Sequence, residues 1–199
     1  MFQCGQRLRQ MMKGGVGMKR FLVLLMCAIF LGGCGGQKDG MDEALDLRGT
    51  LLQAESCTFT AHIIADYGES LYRFSMDCTA DREGNLTFTV TAPESISGIT
   101  GKITTDGGKL IFDDTVLYIP MLTDDQITPV SAPWIFLRTL RSGYITACAE
   151  GRMRIDDSYA DDALSLDITV DANGYPSFAE ILWKNRRILS LEVVSFTLS

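Results

Sequence analysis

The sequence predicts an α+β domain that is mainly β: an antiparallel meander with a helix at its N-terminal side and a second helix near 133–142 covering the sheet. Three observations carry this. From Cys57 onward apolar residues recur at every second position, the period of a half-buried strand. Such runs are short, and turns rich in Gly, Asn and Asp separate them, which joins neighbouring strands antiparallel. One stretch, Trp134-Ile135-Phe136-Leu137-Arg138-Thr139-Leu140, is apolar on most sides, and a helix of that kind has to be covered.

The first element in the chain is not part of that domain. Met18-Lys19-Arg20 precedes an apolar run from Phe21 to Leu31, and Leu31-Gly32-Gly33-Cys34 follows. A basic start, a short apolar core and small residues at a cut site predict a secretory signal peptide over residues 1–33. The run holds 11 residues, whereas a membrane-spanning helix needs roughly 20. Leu31 to Cys34 resembles the bacterial lipobox, a Leu three residues before Cys with small residues between. That resemblance implies diacylglyceryl transfer to the Cys34 thiol and cleavage between Gly33 and Cys34. Residues 1–17 are untidy for a signal. Lys13-Gly14-Gly15-Val16 is what a translated ribosome-binding sequence would spell, so Met18 is read as the true start. Residues 34–41, with Gly35-Gly36-Gln37-Lys38-Asp39-Gly40, form a lipidated tether, and the domain is expected over 42–199.

Asp42 can cap a helix running to about Ala54, with Ala44, Leu45, Leu47, Leu51 and Leu52 as its apolar side. Cys57, Phe59, Ala61, Ile63 and Ala65 then share one strand face, and Tyr72, Phe74, Met76, Cys78 and Ala80 share another, around a turn at Asp66-Tyr67-Gly68-Glu69. Folding this hairpin symmetrically pairs Ile63 with Tyr72, Ala61 with Phe74, Phe59 with Met76, Cys57 with Cys78 and His62 with Arg73. Directly opposite Cβ atoms are close enough for a disulfide, so a Cys57–Cys78 bond is expected. Leu86, Phe88, Val90 and Ala92 make a third strand that Pro93 ends. Strands follow over 99–104, 109–112 and 115–119, then a longer loop over 121–133. Ser131 can cap the apolar helix, Pro133 suits its first turn and Gly143 ends it. The last strands are expected over 144–149, 151–155, 163–170, 178–184 and 187–198.

The cut leaves 166 residues, enough for one domain with a real core. Five of the 18 Lys and Arg precede it and none of the 25 acids does, so the mature chain carries 13 against 25, a net −12. Such a surface repels phosphate, which excludes nucleic acid as a partner and leaves the Cys34 lipid to hold the chain to a membrane. Cys57, Cys78 and Cys148 remain outside the cytoplasm, and the odd number leaves one unpaired. The only histidine, His62, lies among threonines and reads as a solvated strand residue. The acidic run from Asp156 to Asp162 lacks the spacing and glycine of a calcium loop, so no metal and no cofactor is expected. No Gly-x-Ser-x-Gly elbow, His-Glu-x-x-His pair or phosphate-binding glycine loop is present, and an enzyme is not expected.

The order of elements, with Pro93 through Gly101, Gly108-Lys109-Leu110-Ile111-Phe112, and Asn173-Gly174-Tyr175-Pro176 leading to Ile181 and Phe196, resembles the LolA-like family of lipoprotein carriers and their relatives. The resemblance implies a curved antiparallel half-barrel with helices across its mouth and an apolar concavity for acyl chains. It extends to lipid-anchored Gram-positive members such as the germination lipoprotein GerS, in which the fold serves a protein partner.

Two functions follow as expectations. The first is a membrane-anchored extracytoplasmic lipoprotein that binds a lipid-like ligand in an apolar cleft lined by Phe59, Ile63, Tyr72, Phe74, Met76, Phe88, Val90, Trp134 and Phe136. The alternative is an envelope-surface protein that anchors or regulates a protein partner, with the same residues serving as ordinary core.

Overall fold

A computed structural model describes residues 40–113, 115–119, 122–123, 126–160 and 163–199 of the chain. The signal segment, Cys34 and the tether to residue 39 lie outside the described residues.

Helix α1 spans Gly40–Gln53, with Asp42 and Glu43 in its first turn, where the helix dipole favours acids. Ala44, Leu47 and Leu51 are buried, whereas Leu45 and Leu52 face solvent. The apolar stripe is thus narrower than the sequence expectation, one residue per turn. Strands β1 (Ser56–Asp66), β2 (Leu71–Asp81), β3 (Leu86–Ala92), β4 (Thr100–Thr104), β5 (Gly107–Phe112) and β6 (Thr115–Ile119) form a meander. Two short strands, β7 (Leu122–Thr123) and β8 (Gln126–Ile127), pair in what the sequence presented as a loop. Helix α2 covers Ala132–Ser142, and β9 (Tyr144–Ala149), β10 (Arg152–Asp156), β11 (Leu164–Val170), β12 (Pro176–Trp183) and β13 (Arg186–Leu198) complete the chain.

Eleven strands make one antiparallel sheet in the order β6-β5-β4-β3-β2-β1-β13-β12-β11-β10-β9. The first and last strands meet at its centre, and β6 and β9 are its two margins, so the sheet is open and not a closed barrel. Bulges interrupt the register at Thr60/Ala61, Ser75/Met76, Arg154/Ile155, Thr169/Val170 and Ile181/Leu182, and each adds twist and bend to its strand. α2 packs on β10 to β13, and α1 packs on β9, β10 and α2. One face of the sheet is therefore roofed, and a single apolar cluster lies beneath the helices.

The β1–β2 register differs from the expected one by two residues. Phe59 faces Cys78, Ala61 faces Met76, Ile63 faces Phe74 and Ala65 faces Tyr72. The cause is the turn. Asp66 and Leu71 are the last pair, so the loop holds residues 67–70, closed by the Tyr67 N–H donating to the Ser70 carbonyl at 3.0 Å. The Asp66 carboxylate accepts the Gly68 N–H at 2.9 Å in an Asx turn, and with Asp66 still in the strand the loop starts at Tyr67, one residue later than expected. Cys57 consequently faces Ala80, and the expected Cys57–Cys78 disulfide is not formed; both are buried thiols. His62 faces Ser75, with Nδ1 and Oγ 2.8 Å apart, in place of Arg73.

Candidate functional site

The nine residues expected to line a cleft come from three strands and one helix on the roofed face. Strand alternation puts Phe59 and Ile63 of β1, Phe74 and Met76 of β2, and Phe88 and Val90 of β3 on the same side as Ala61, Cys78 and Leu86. α2 brings Phe136 against Phe59 of this face and buries Trp134 in the same cluster. Pro129–Ser131 forms a 3-10 turn that leads into this helix, and Pro133 sits in its first turn. Ser131 occupies the capping position, yet its hydroxyl donates back to the Thr128 carbonyl at 2.6 Å and caps nothing in the helix. The helix ends at Gly143, whose N–H donates to the Thr139 carbonyl at 2.8 Å.

Eight of the nine meet in a packed interior. Phe59, Ile63, Phe74, Met76, Phe88, Val90, Trp134 and Phe136 are each 8% exposed or less. The Phe136 ring stands edge-on to Phe59 at 5.9 Å between centroids, and Phe59 continues through Phe196 at 6.1 Å to Tyr175 at a further 5.9 Å. The Arg138 guanidinium lies over the Trp134 ring at 5.2 Å. These rings are packed against one another where the sequence predicted a cleft. Tyr72 is the exception, 52% exposed and edge-on to Tyr67 at 6.3 Å.

Among the described residues, three cavities lie elsewhere. One of about 490 Å³ sits between α1 and the β11–β12 turn, bordered by Glu43, Asp46, Arg152, Asp171 and Tyr175. One of about 850 Å³ is a depression on the outer face of β9 to β12, beside Phe178 and the Arg154–Asp167 pair. A third, about 420 Å³, lies over the threonines and Lys102 and Lys109 of β2 to β5, and Phe88 is the one expected lining residue that borders it. The Arg154 guanidinium meets Asp167 through two bonds of 2.6 Å, which raises the guanidinium further above its ordinary value.

The sequence reading missed two residues that fix the roof. Tyr67, read as a turn residue, donates its hydroxyl to the Ile127 carbonyl and ties the β1–β2 loop to the chain leading into α2. Burial, with Tyr72 beside it, pushes its phenol up to about 12. Arg48 of α1 donates Nε to the Leu140 carbonyl of α2 at 2.8 Å, while its buried Nη2 has no hydrogen-bond partner. Burial lowers this guanidinium, with Cys148 opposing. Nothing in residue spacing marks either contact, because both join segments distant in sequence. Among the described residues no group of three or more His, Cys, Asp or Glu converges as metal ligands do, and no helix is long and apolar enough to cross a membrane.

The fold and this face define an open antiparallel sheet roofed by two helices over a filled apolar core. No family model and no curated protein matches the chain. Solved structures similar to it include the LolA superfamily protein NE2245 from Nitrosomonas europaea, 11% identical over 78% of this chain and 93% of that one with a TM-score of 0.37. A lipoprotein-sorting protein domain from Vibrio parahaemolyticus is 9% identical over 79% and 91%, TM-score 0.41. A chain in the complex of the CwlD amidase from Clostridioides difficile with the GerS lipoprotein is 13% identical over 81% and 97%, TM-score 0.40. The likeness is one of architecture, and no residue role or ligand comes with it.

Proposed function

We propose that the mature chain is an extracytoplasmic lipoprotein, anchored through Cys34, that holds or regulates a protein partner at the envelope surface. The packing of Phe59 against Phe136 carries this reading, because the face expected to cradle a lipid is occupied by its own side chains. An acyl chain would have to lift α2 and expose Trp134, Phe136, Leu137 and Leu140 to make room, each worth about 1.5–3 kcal/mol of burial for a residue of that size. The mature chain is acidic, so the partner is a protein and not a nucleic acid. Anchoring follows from the Leu31-Gly32-Gly33-Cys34 sequence, and catalysis forms no part of the reading.

The test is recovery of the full lipoprotein from solubilised membranes. One stoichiometric protein partner is expected, and membrane release of Cys34→Ser is expected with it. Delipidated protein that takes up a fatty-acid probe with stoichiometric affinity, and that brings down no protein, would sink the reading in favour of the lipid cleft.

A further inference from the structure

The β6 margin differs from the rest of the surface. Of the 14 large apolar residues that are exposed among the described residues, five lie within residues 111–118: Ile111, Phe112, Val116, Leu117 and Tyr118. Val116, Leu117 and Tyr118 are exposed by 42%, 57% and 74%, on both faces of one strand. β5 pairs with one side of β6, and among the described residues no strand pairs with the other. Thr115 to Ile119 contains no charged residue, Gly or Pro. Sheet margins are ordinarily blunted by charge, proline, a bulge or a covering element, because free N–H and C=O groups recruit another strand.

The rows of opposed side chains specify what fits there. On the roofed face, Phe59, Cys78, Phe88, Gly101, Leu110 and Leu117 stand opposite one another from β1 to β6. Burial runs out along this row: Phe88 is buried, Leu110 half-buried and Leu117 exposed. On the outer face Ile111 stands beside Val116, and Lys109 beside Tyr118. A strand added to β6 needs an apolar residue opposite Leu117 and apolar residues opposite Val116 and Tyr118.

We propose that this strand is β6 of a second copy, paired antiparallel about Leu117. Leu117 then faces Leu117 of the second copy, and the inner row continues from one core toward the other. Val116 faces Tyr118 of the second copy, and Tyr118 faces its Val116. A one-residue slip would put the inner leucine against an outer residue, so the faces exclude odd slips, and the self-facing Leu117 pair defines the register proposed. The contact is isologous and closes at two copies. Charge favours this margin as well. Two chains of net −12 repel across most of their surfaces, whereas at this strand no carboxylate opposes another. A five-residue margin buries less than the ~1,200 Å² of a standard interface, so the pair is weak in dilute solution. Tethering both copies to one membrane raises their effective concentration, and that clause rests on the Cys34 anchor read above.

The experiment uses the full lipoprotein in native membranes, in a Cys148→Ser background, with Leu117→Cys as the probe and Val194→Cys, 58% exposed on the central strand β13, as the control. Oxidation is expected to link two copies of L117C and to leave V194C monomeric. Adding Tyr118→Asp is expected to cut the yield by about tenfold or more, since a charge now enters the shared sheet. Amide exchange of unmodified β6 is expected to be slow in membranes and fast in dilute detergent. L117C linking no better than V194C, an unchanged yield with Y118D, or fast exchange in both settings would each overturn the pairing. A stoichiometric foreign protein bound to a monomeric chain retires this pairing and leaves the partner reading standing. Linked copies without a foreign protein do the reverse.

Discussion

The two margins of the sheet are built in opposite ways. β9 is overlaid by α1: Gly40 sits so close that a Cβ there would lie 3.3 Å from the Cys148 carbonyl carbon, and Arg48 bridges to the Leu140 carbonyl of α2. Its exposed residues are Thr146, Ala147 and Ala149, which present little apolar surface, and Tyr144, whose ring is stacked on Tyr159 at 3.8 Å. Among the described residues no helix packs on β6, which presents Val116, Leu117 and Tyr118. Exposure is thus decided by which helix lands where, not by strand composition, since Thr-Val-Leu-Tyr-Ile would sit comfortably in the middle of the sheet.

The largest effect should come from loosening the covered margin. Leu51→Ala in α1 removes a fully buried side chain that holds the helix to the sheet and is expected to cost about 2–5 kcal/mol. Leu117→Ala at the bare margin should stay within about 0.5 kcal/mol. Chemical denaturation of the mature chain measures both. Equal costs would mean that the two margins are not differently covered.

Between the margins, Gly101 marks where the core ends. The Phe88 ring lies across it, and a Cβ there would come within 2.4 Å of Phe88 Cζ and 2.9 Å of the Lys109 carbonyl oxygen. Gly101→Ala is expected to cost about 1–3 kcal/mol through overpacking. Phe88→Leu in the same chain should return part of that loss. No recovery in the thermal melting temperature would place the strain in the backbone rather than under the ring.

These comparisons show what the sequence could carry. Period-two alternation assigned β1, β2 and β3 to the right face, because a face depends only on odd or even position. It could not choose between registers two apart, since both keep Phe59, Ala61 and Ile63 opposite apolar partners. That choice lay in the Asp66 carboxylate and the Gly68 N–H, a single side-chain bond in the turn. The disulfide expectation fell with it. The bareness of β6 was equally hidden, because residues 115–119 read like any other strand and only the landing sites of α1 and α2 leave them outside. Tyr67 and Arg48 act across 60 and 92 residues of chain, beyond the reach of local pattern. The Pro93 strand end, the apolar helix and the closing meander were legible because each is written in adjacent residues.

The register can be checked through its thiols. Burial pushes Cys57 up to about 12 and holds Cys78 higher still, so neither should react with an alkylating reagent in the folded chain. Unfolding without reductant should make Cys57, Cys78 and Cys148 all alkylable. Alkylation at Cys148 alone would restore the disulfide and the original register. The sign for stability is that of a raised value. The thiols' share is intact below their ordinary value near ~8.5 and is lost as pH climbs toward about 12 for Cys57.

The smallest effect tests whether the two halves share a device. The β2–β3 and β11–β12 turns are alike: Asp81 and Asp171 each accept an N–H four residues on, Asn85 and Tyr175, at 2.9 Å. Gly84 and Gly174 follow at φ +87° and +82°, left-handed values that suit glycine. For Asp171 the backbone bonds from Tyr175 and Asn173 hold the carboxyl below the ordinary range. For Asp81 desolvation pulls upward, but bonds from Asn85 and Glu83 outweigh it. A depressed carboxyl contributes stability above its unfolded value near ~3.9, and that contribution is lost as pH falls through the lower folded value. Asp81→Asn and Asp171→Asn should therefore each flatten the acid limb of melting temperature against pH and leave its neutral plateau nearly parallel to that of the parent. Because the same carboxylate-to-backbone bonds close both turns, the two flattenings should match. A much larger effect from Asp81, next to Arg141 of α2 through the Arg82 carbonyl at 2.6 Å, would show that the roof reaches further across the sheet than its packing on β10 to β13 suggests.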